Sequence, residues 1–210
     1  MAKQFFVSGI STEIGKTVVS SILVHALKAD YWKPVQSGDL HQTDSMKAQE
    51  WSGHEAMVVH PEGFRLNTPA SPHYSAEVDG VRIHLEDFKL PDTSNHLIVE
   101  GAGGLLVPLN DEDTILDLID YLKIPVVLVS QNYLGSINHT LLSIEALQRR
   151  NIPIAGIVFN GPSTPSTERI IQKMTGVAVI FHLEELEEVN AASIQSRAKK
   201  YGAEIRSALL

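Results

Sequence analysis

Short apolar runs alternate with segments of helical spacing along the whole chain. Residues 4–8, 31–35, 96–99, 125–130, 154–160 and 177–183 are rich in β-branched and aromatic side chains and read as strands. Between and after them, 16–29, 44–51, 114–122, 137–150, 166–174 and 190–209 read as helices. In the segment 137–150, Ile137, Leu141, Ile144 and Leu147 form one stripe, which is expected to be buried. The runs Leu97-Ile98-Val99 and Val126-Val127-Leu128-Val129 lack polar alternation, which predicts strands covered on both faces near the centre of a sheet. The alternation as a whole predicts an α/β fold with a mostly parallel central sheet flanked by helices. Residues 53–91, punctuated by Pro61, Pro69, Pro72 and Pro91, have few periodic cues and are expected to form loops and short helices, not a second domain. Residues 1–210 are therefore read as a single domain.

Composition narrows the function. With 210 residues, 43% of them hydrophobic and 20% charged, the chain can enclose one substantial core. A formal net charge of -8 argues against broad nucleic-acid binding, which needs a basic footprint to displace counterions. The absence of cysteine excludes disulfides, thiolate metal sites and thiol nucleophiles, and fits a reducing compartment. No run approaches the ~18 apolar residues that a bilayer span requires, and the N-terminus leads directly into a strand with no signal-peptide pattern. The expectation is a cytoplasmic protein with no membrane partner.

The most informative stretch is Val7-Ser8-Gly9-Ile10-Ser11-Thr12-Glu13-Ile14-Gly15-Lys16-Thr17, a strand end, a tight loop and a helix start. Such a loop turns backbone N–H groups inward, the helix N-terminus adds partial positive charge, and lysine supplies a full charge to the β- and γ-phosphates of a nucleotide. The threonine hydroxyl that follows can reach a magnesium ion bridging those phosphates. The usual pattern has four residues between its glycines, whereas Gly9 and Gly15 enclose five, with Ile10 where the first glycine would stand. The fold expectation becomes a P-loop NTPase-like one.

Three further clusters follow predicted strands, the edge at which open parallel sheets bind ligands. Lys33-Pro34-Val35-Gln36-Ser37-Gly38 places a second lysine near a strand end among apolar neighbours, with a hydroxyl shortly beyond it. Glu100 comes after a strand and before a glycine turn, where a carboxylate is either a metal ligand or a costly unpaired charge. Asp44 serves equally well as a helix N-cap or as a first-turn residue. Thr17, Asp44 and Glu100 together would give oxygen-only coordination, which suits Mg2+. The nine histidines are scattered, with no His-x-x-x-His spacing, and are read as residues without chemistry.

The stretches Gly9 to Thr17, Lys33 to Gly38, Ser71-Pro72-His73, Val99 to Gly104 and Leu134-Gly135-Ser136-Ile137-Asn138-His139 closely resemble the dethiobiotin synthetases. That family carries five residues between the glycines of its loop, and the resemblance spans roughly residues 4 to 160. It implies an ATP-dependent ligase in which 7,8-diaminononanoate captures CO2 as a carbamate, ATP phosphorylates the carbamate, and the neighbouring amine closes a ureido ring. It also implies roles for individual residues. Glu13, Ile14, Gly15, Lys16, Thr17, Val18, Glu100 and Asn160 would bind nucleotide, with the side-chain amide of Asn160 reading the adenine. Thr17, Asp44 and Glu100 would hold Mg2+, and Lys33 would stand between the carbamate and the γ-phosphate. Thr12, Glu13, Ser37, Ser71 and Pro72 would contact substrate, and the negative charge of Glu13 by itself suits an ammonium that must lose a proton before attack. Lys33, Lys16 and Glu13 are thus the catalytic candidates. Ser136, Ile137 and Asn138 would receive the substrate carboxylate across a homodimer interface. The chain departs from many members at Ile180-Phe181-His182-Leu183-Glu184-Glu185, where they carry a Gly-x-Ile-Pro turn against the adenine.

Three other readings compete, of which a glutamine-dependent amide synthetase of the same fold fails because a chain without cysteine cannot house the usual thiol glutaminase. A partition-type ATPase switch usually has an additional lysine near the start of the loop, and Ser8-Gly9-Ile10-Ser11 has none. A nucleotide sensor without catalysis would not need Lys16, Thr17, Lys33 and Glu100 together.

Overall fold

The computed structural model describes residues 2–53 and 56–210. In chain order the elements are β1 (Gln4–Gly9), α1 (Lys16–Leu27), β2 (Asp30–Trp32), β3 (Val35–Ser37), α2 (Asp44–Ser52), β4 (Val59–His60), β5 (Phe64–Leu66) and α3 (Pro72–Val78). They continue with β6 (Leu97–Gly104), α4 (Ile115–Leu122), β7 (Val126–Gln131), α5 (Ser136–Arg149), β8 (Ile154–Asn160), α6 (Pro165–Thr175), β9 (Val179–Leu183), α7 (Ala191–Lys200) and α8 (Gly202–Leu209). Seven strands form one sheet in the order β4-β2-β6-β1-β7-β8-β9, and every ladder in it is parallel. The fold is the expected α/β one.

Strand alternation divides the core. Phe5 and Val7 of β1 point toward α1, α7 and α8, whereas Phe6 points to the opposite face with Leu97, Val99 and Leu118. Fully burying such side chains stabilises by roughly 1.5–3 kcal/mol each. The strongly apolar strands β6, β1 and β7 therefore sit at the sheet centre, and the loops that follow β1 and β2 open on one edge.

Several expectations change. The strand expected at 31–35 is two strands in two sheets, β2 in the large sheet and β3 paired with β5. Pro34 has no N–H to continue a ladder, and its carbonyl instead accepts from Phe64 N at 2.9 Å. The segment 53–91 contains the short strands β4 and β5 in addition to α3; residues 54 and 55 of that segment lie outside the described residues. Gly101 to Gly104 extend β6 instead of forming a turn, so Glu100 lies within a strand. The buried stripe of α5 is Ser136, Thr140, Ile144 and Leu147, while Ile137 is exposed. Thr140 Oγ1 donates to Ser136 O at 2.7 Å and lies 2.9 Å from Ser130 Oγ, so its hydroxyl is satisfied inside the fold. The helix expected at 190–209 is divided between α7 and α8 at Tyr201.

Candidate active site

The loop after β1 and the segments after β2 and β3 enclose a cleft of about 690 Å³. Thr12, Glu13, Gly15, Lys16, Thr17 and Val18 form one wall, and Lys33, Gln36, Ser37 and Asp44 form another. Ser71 and Pro72, at the start of α3, close a third side, and Glu100 lies at the floor. Gly38 adopts φ +70°, and a Cβ there would stand 2.4 Å from Pro69, so its missing side chain lets the 69–72 segment close over 35–38.

Sequence places these groups through simple rules. Gly15 is the left-handed N-cap of α1, with φ +85°, and Lys16 is the first helical residue. Among the described residues no side chain caps α1, which leaves the N–H groups at its start available to an anion. Thr43 caps α2 by accepting from Met46 N at 3.2 Å, which makes Asp44 the first-turn residue of the two alternatives the sequence leaves open. Its carboxylate is thereby held beside Lys33.

A charge network fills the cleft floor. Lys33 Nζ lies 2.6 Å from Asp44 Oδ2 and 3.3 Å from Glu100 Oε1. Thr17 Oγ1 donates to the same Glu100 oxygen at 2.8 Å, and Tyr31 Oη donates to Oε2 at 3.0 Å. The Lys33 side chain is 5% exposed and that of Glu100 is 1%. Burial disfavours the Lys33 ammonium, but Glu100 and Asp44 outweigh it and hold its pKa above the ordinary lysine value. Burial likewise opposes ionisation of Asp44, and Lys33 beside it holds the carboxyl below the usual range. Among the described residues Lys16 lacks such a pairing. Burial pulls its ammonium down to about 8 against the attraction of Glu100, and its Nζ donates to Ser11 O at 3.2 Å.

Tyr31 and Gln36 belong to this network although sequence reading did not single them out. Tyr31 lies in β2 two positions before Lys33, and both side chains reach Glu100. Burial and the Glu100 charge push its phenol well above the usual value, so it is a neutral donor. Gln36 accepts from Asp44 N at 3.2 Å and donates to Gly38 O at 2.9 Å. Ser37 Oγ is buried without a hydrogen-bond partner among the described residues. An orphaned hydroxyl in a cleft is open to a ligand.

Other candidates lie apart. Ile14 is buried beneath the loop, and Asn160 reaches it from the end of β8 through a 2.9 Å bond from Nδ2 to Ile14 O. Ser136, Ile137 and Asn138 open α5 after β7 and do not line the cleft of their own chain. Among the described residues no three His, Cys, Asp or Glu side chains gather as a metal cluster. The oxygen set at the floor has threonine as its third member.

A sequence family described as an AAA domain matches residues 3–193. The ATP-dependent dethiobiotin synthetase of Cytophaga hutchinsonii is 51% identical over 94% of this chain and 96% of its own length. That of Christiangramia forsetii is 48% identical over 96% and 97%. The chain belongs to the ATP-dependent dethiobiotin synthetases. It is therefore an ATP-dependent ligase of biotin synthesis. Among solved structures, the septum site-determining protein MinD of Pyrococcus horikoshii, complexed with Mg-ADP, is similar with a TM-score of 0.59 over 99% of this chain and 95% of that one, at 17% identity. A ParA family ATPase from Chlorobium tepidum gives a TM-score of 0.55 over 100% and 98%, at 15% identity. These likenesses show that the chain has the P-loop NTPase fold. Among the described residues no helix is long and apolar enough to cross a membrane.

Proposed function

We propose that the cleft carboxylates 7,8-diaminononanoate with CO2 or bicarbonate as the carbon source and closes the ring of dethiobiotin, with ATP as phosphoryl donor. The observation that carries this reading is the meeting of the phosphate loop with the buried Lys33-Asp44-Glu100 network in one cavity. One amine of the diamine adds to CO2 and gives a carbamate. A carbamate oxygen then attacks the γ-phosphorus, ADP leaves, and a carbamic-phosphoric anhydride remains. The second amine attacks its carbonyl carbon, the carbon–oxygen bond to phosphate breaks, and phosphate departs.

The demand this chemistry makes is to bring two anions together. Lys16 and the amides of Glu13 to Val18 are suited to the triphosphate, and Lys33, kept protonated by its carboxylate partners, offers a positive charge between phosphate and carbamate. The unpartnered Ser37 hydroxyl suits a donor to the carbamate. Thr12, Ser71 and Pro72 would flank the substrate, and the exposed Glu13 would attract its ammonium end. Thr17, Asp44 and Glu100 fit a hard divalent cation because they supply oxygen donors alone, two of them anionic. Mg2+ held there would offset charge on the transferring phosphoryl group.

The substrate carboxylate would be received by Ser136, Ile137 and Asn138 of a second copy. Gly135 is the N-cap of α5 and no side chain caps that helix, while Leu134 and Leu142 nearby are exposed apolar residues suited to a homodimer interface. The side-chain oxygen of Asn160 would face the base. An ATP-consuming biosynthetic step supports a cytoplasmic setting. The test is phosphate release with ATP, Mg2+ and bicarbonate, with and without the diamine, beside mass detection of product. Release that matches dethiobiotin formed is expected, and hydrolysis indifferent to the diamine would overturn the reading in favour of a switch or sensor.

A further inference from the structure

The peptide between Ile14 and Gly15 is held from outside the loop. Asn160 Nδ2 donates to the Ile14 carbonyl at 2.9 Å across 146 positions of sequence. In a trans peptide the C=O and the following N–H point in opposite directions. Fixing the Ile14 carbonyl toward β8 therefore aims the Gly15 N–H away from it, and Gly15 lines the cleft. The contact is close: a Cβ on Gly15 would stand 2.2 Å from the Asn160 amide nitrogen. Because α1 lacks a side-chain cap, nothing on the helix itself performs this task.

Asn160 is in turn fixed by its neighbours. It pairs in register with Gln131 of β7 and Leu183 of β9. Gly161 N donates to Leu183 O at 2.8 Å, and His182 Nε2 donates to Gly161 O at 2.8 Å. The strand end that carries the amide is tied down on both sides.

We propose that Asn160 is a positioning residue for phosphate recognition: its amide braces the Ile14–Gly15 peptide so that the loop is aligned for a triphosphate whatever base is attached. The inference rests on the reading of residues 9–17 as the phosphate site. It makes Asn160 act on every phosphate ligand, where a base contact would act on ATP alone.

Asn160→Ser removes the amide without adding charge. Calorimetric titration with magnesium tripolyphosphate, ATP and GTP should give about tenfold weaker binding for tripolyphosphate and GTP and at least as large a loss for ATP, with the melting temperature lowered by no more than the loss of one hydrogen bond brings. Loss confined to ATP, with tripolyphosphate binding as in the parent, would overturn the brace, as would unchanged binding throughout. If the parent itself bound neither ATP nor tripolyphosphate, the phosphate-site reading would fall first. Gly15→Ala, alone and combined with Asn160→Ser, tests the contact directly. The new methyl meets the amide only in the parent background, so its cost to tripolyphosphate binding should be several-fold smaller in the double variant; additive losses would contradict the contact.

Discussion

At the β1-β2-β6 end of the sheet edge, Lys33, Asp44, Glu100, Thr17 and Tyr31 bond chiefly to one another. At the β8-β9 end, Asn160, Asn132 and His182 donate to main-chain carbonyls, and Glu168 accepts from Thr164 N at 2.9 Å as well as from Asn132 and Ser163. The first arrangement controls charge, because each ionised group sets the protonation of the next. The second controls backbone shape. A ligand that is an anion at one end and a flat base at the other needs both, and substitutions at the two ends should fail in different ways.

The largest effect is expected from Lys16→Ala, which removes the one cleft ammonium that, among the described residues, is not paired with a carboxylate. Turnover should fall by at least about 100-fold, read by phosphate release at saturating diamine. Lys33→Ala leaves two carboxylates without their ammonium, so stability should drop by about 3 kcal/mol in addition to the loss of turnover. Thermal unfolding should show Mg2+ recovering more stability in this variant than in the parent, since the cation would replace the missing charge. Tyr31→Phe takes one donor from Glu100 and should cost about 1 kcal/mol in denaturant unfolding.

Glu168→Gln gives the smallest effect and belongs to the other end. Burial opposes the Glu168 charge, yet Thr164 N, Asn132, Ser163 and His182 hold its pKa below the ordinary 4.5. A carboxyl depressed in the folded state adds stability above pH 4.5 that is lost as pH falls through the lowered value. The glutamine variant should therefore be less stable than the parent at pH 7 by about 1 kcal/mol or less. The gap should narrow as pH falls below 4.5 and close once pH has passed the lowered folded-state value, as unfolding curves at several pH values would reveal.

How much of this was legible in sequence also differs between regions. The strands β1, β6, β7 and β8 follow from continuous apolar runs because both of their faces are buried. The strands β4 and β5 have two and three residues and sit at the edge of the large sheet or in a two-stranded pair, so neither needs an apolar run to signal it. The stripe of α5 misled because a threonine whose hydroxyl finds partners can replace a hydrophobic residue inside, while an isoleucine can remain outside. In the cleft, the Gly-Lys-Thr loop and Lys33 announce themselves by residue type and position. The convergence of Asp44 on Lys33 depends on where the chain turns after Gly38, which no local pattern encodes; sequence grouped Asp44 with Thr17 and Glu100 as oxygen donors, and the ion pair with Lys33 emerges only in the structure. The Asn160 contact with Ile14 spans 146 positions of sequence, from the end of β8 past β7 to the loop after β1, and left no sequence signal.

The central claim, that the phosphoryl group passes from ATP to a carbamate in this cleft, is tested most directly by oxygen transfer. The reaction is run in unlabelled water with [18O]-bicarbonate, ATP, Mg2+ and 7,8-diaminononanoate, stopped before the bicarbonate pool exchanges its label with solvent, and the released phosphate is analysed by mass. One 18O in each phosphate formed is the predicted result, because the bond that breaks at ring closure lies between carbon and the bridging oxygen. Phosphate free of label, formed while dethiobiotin accumulates, would contradict the account.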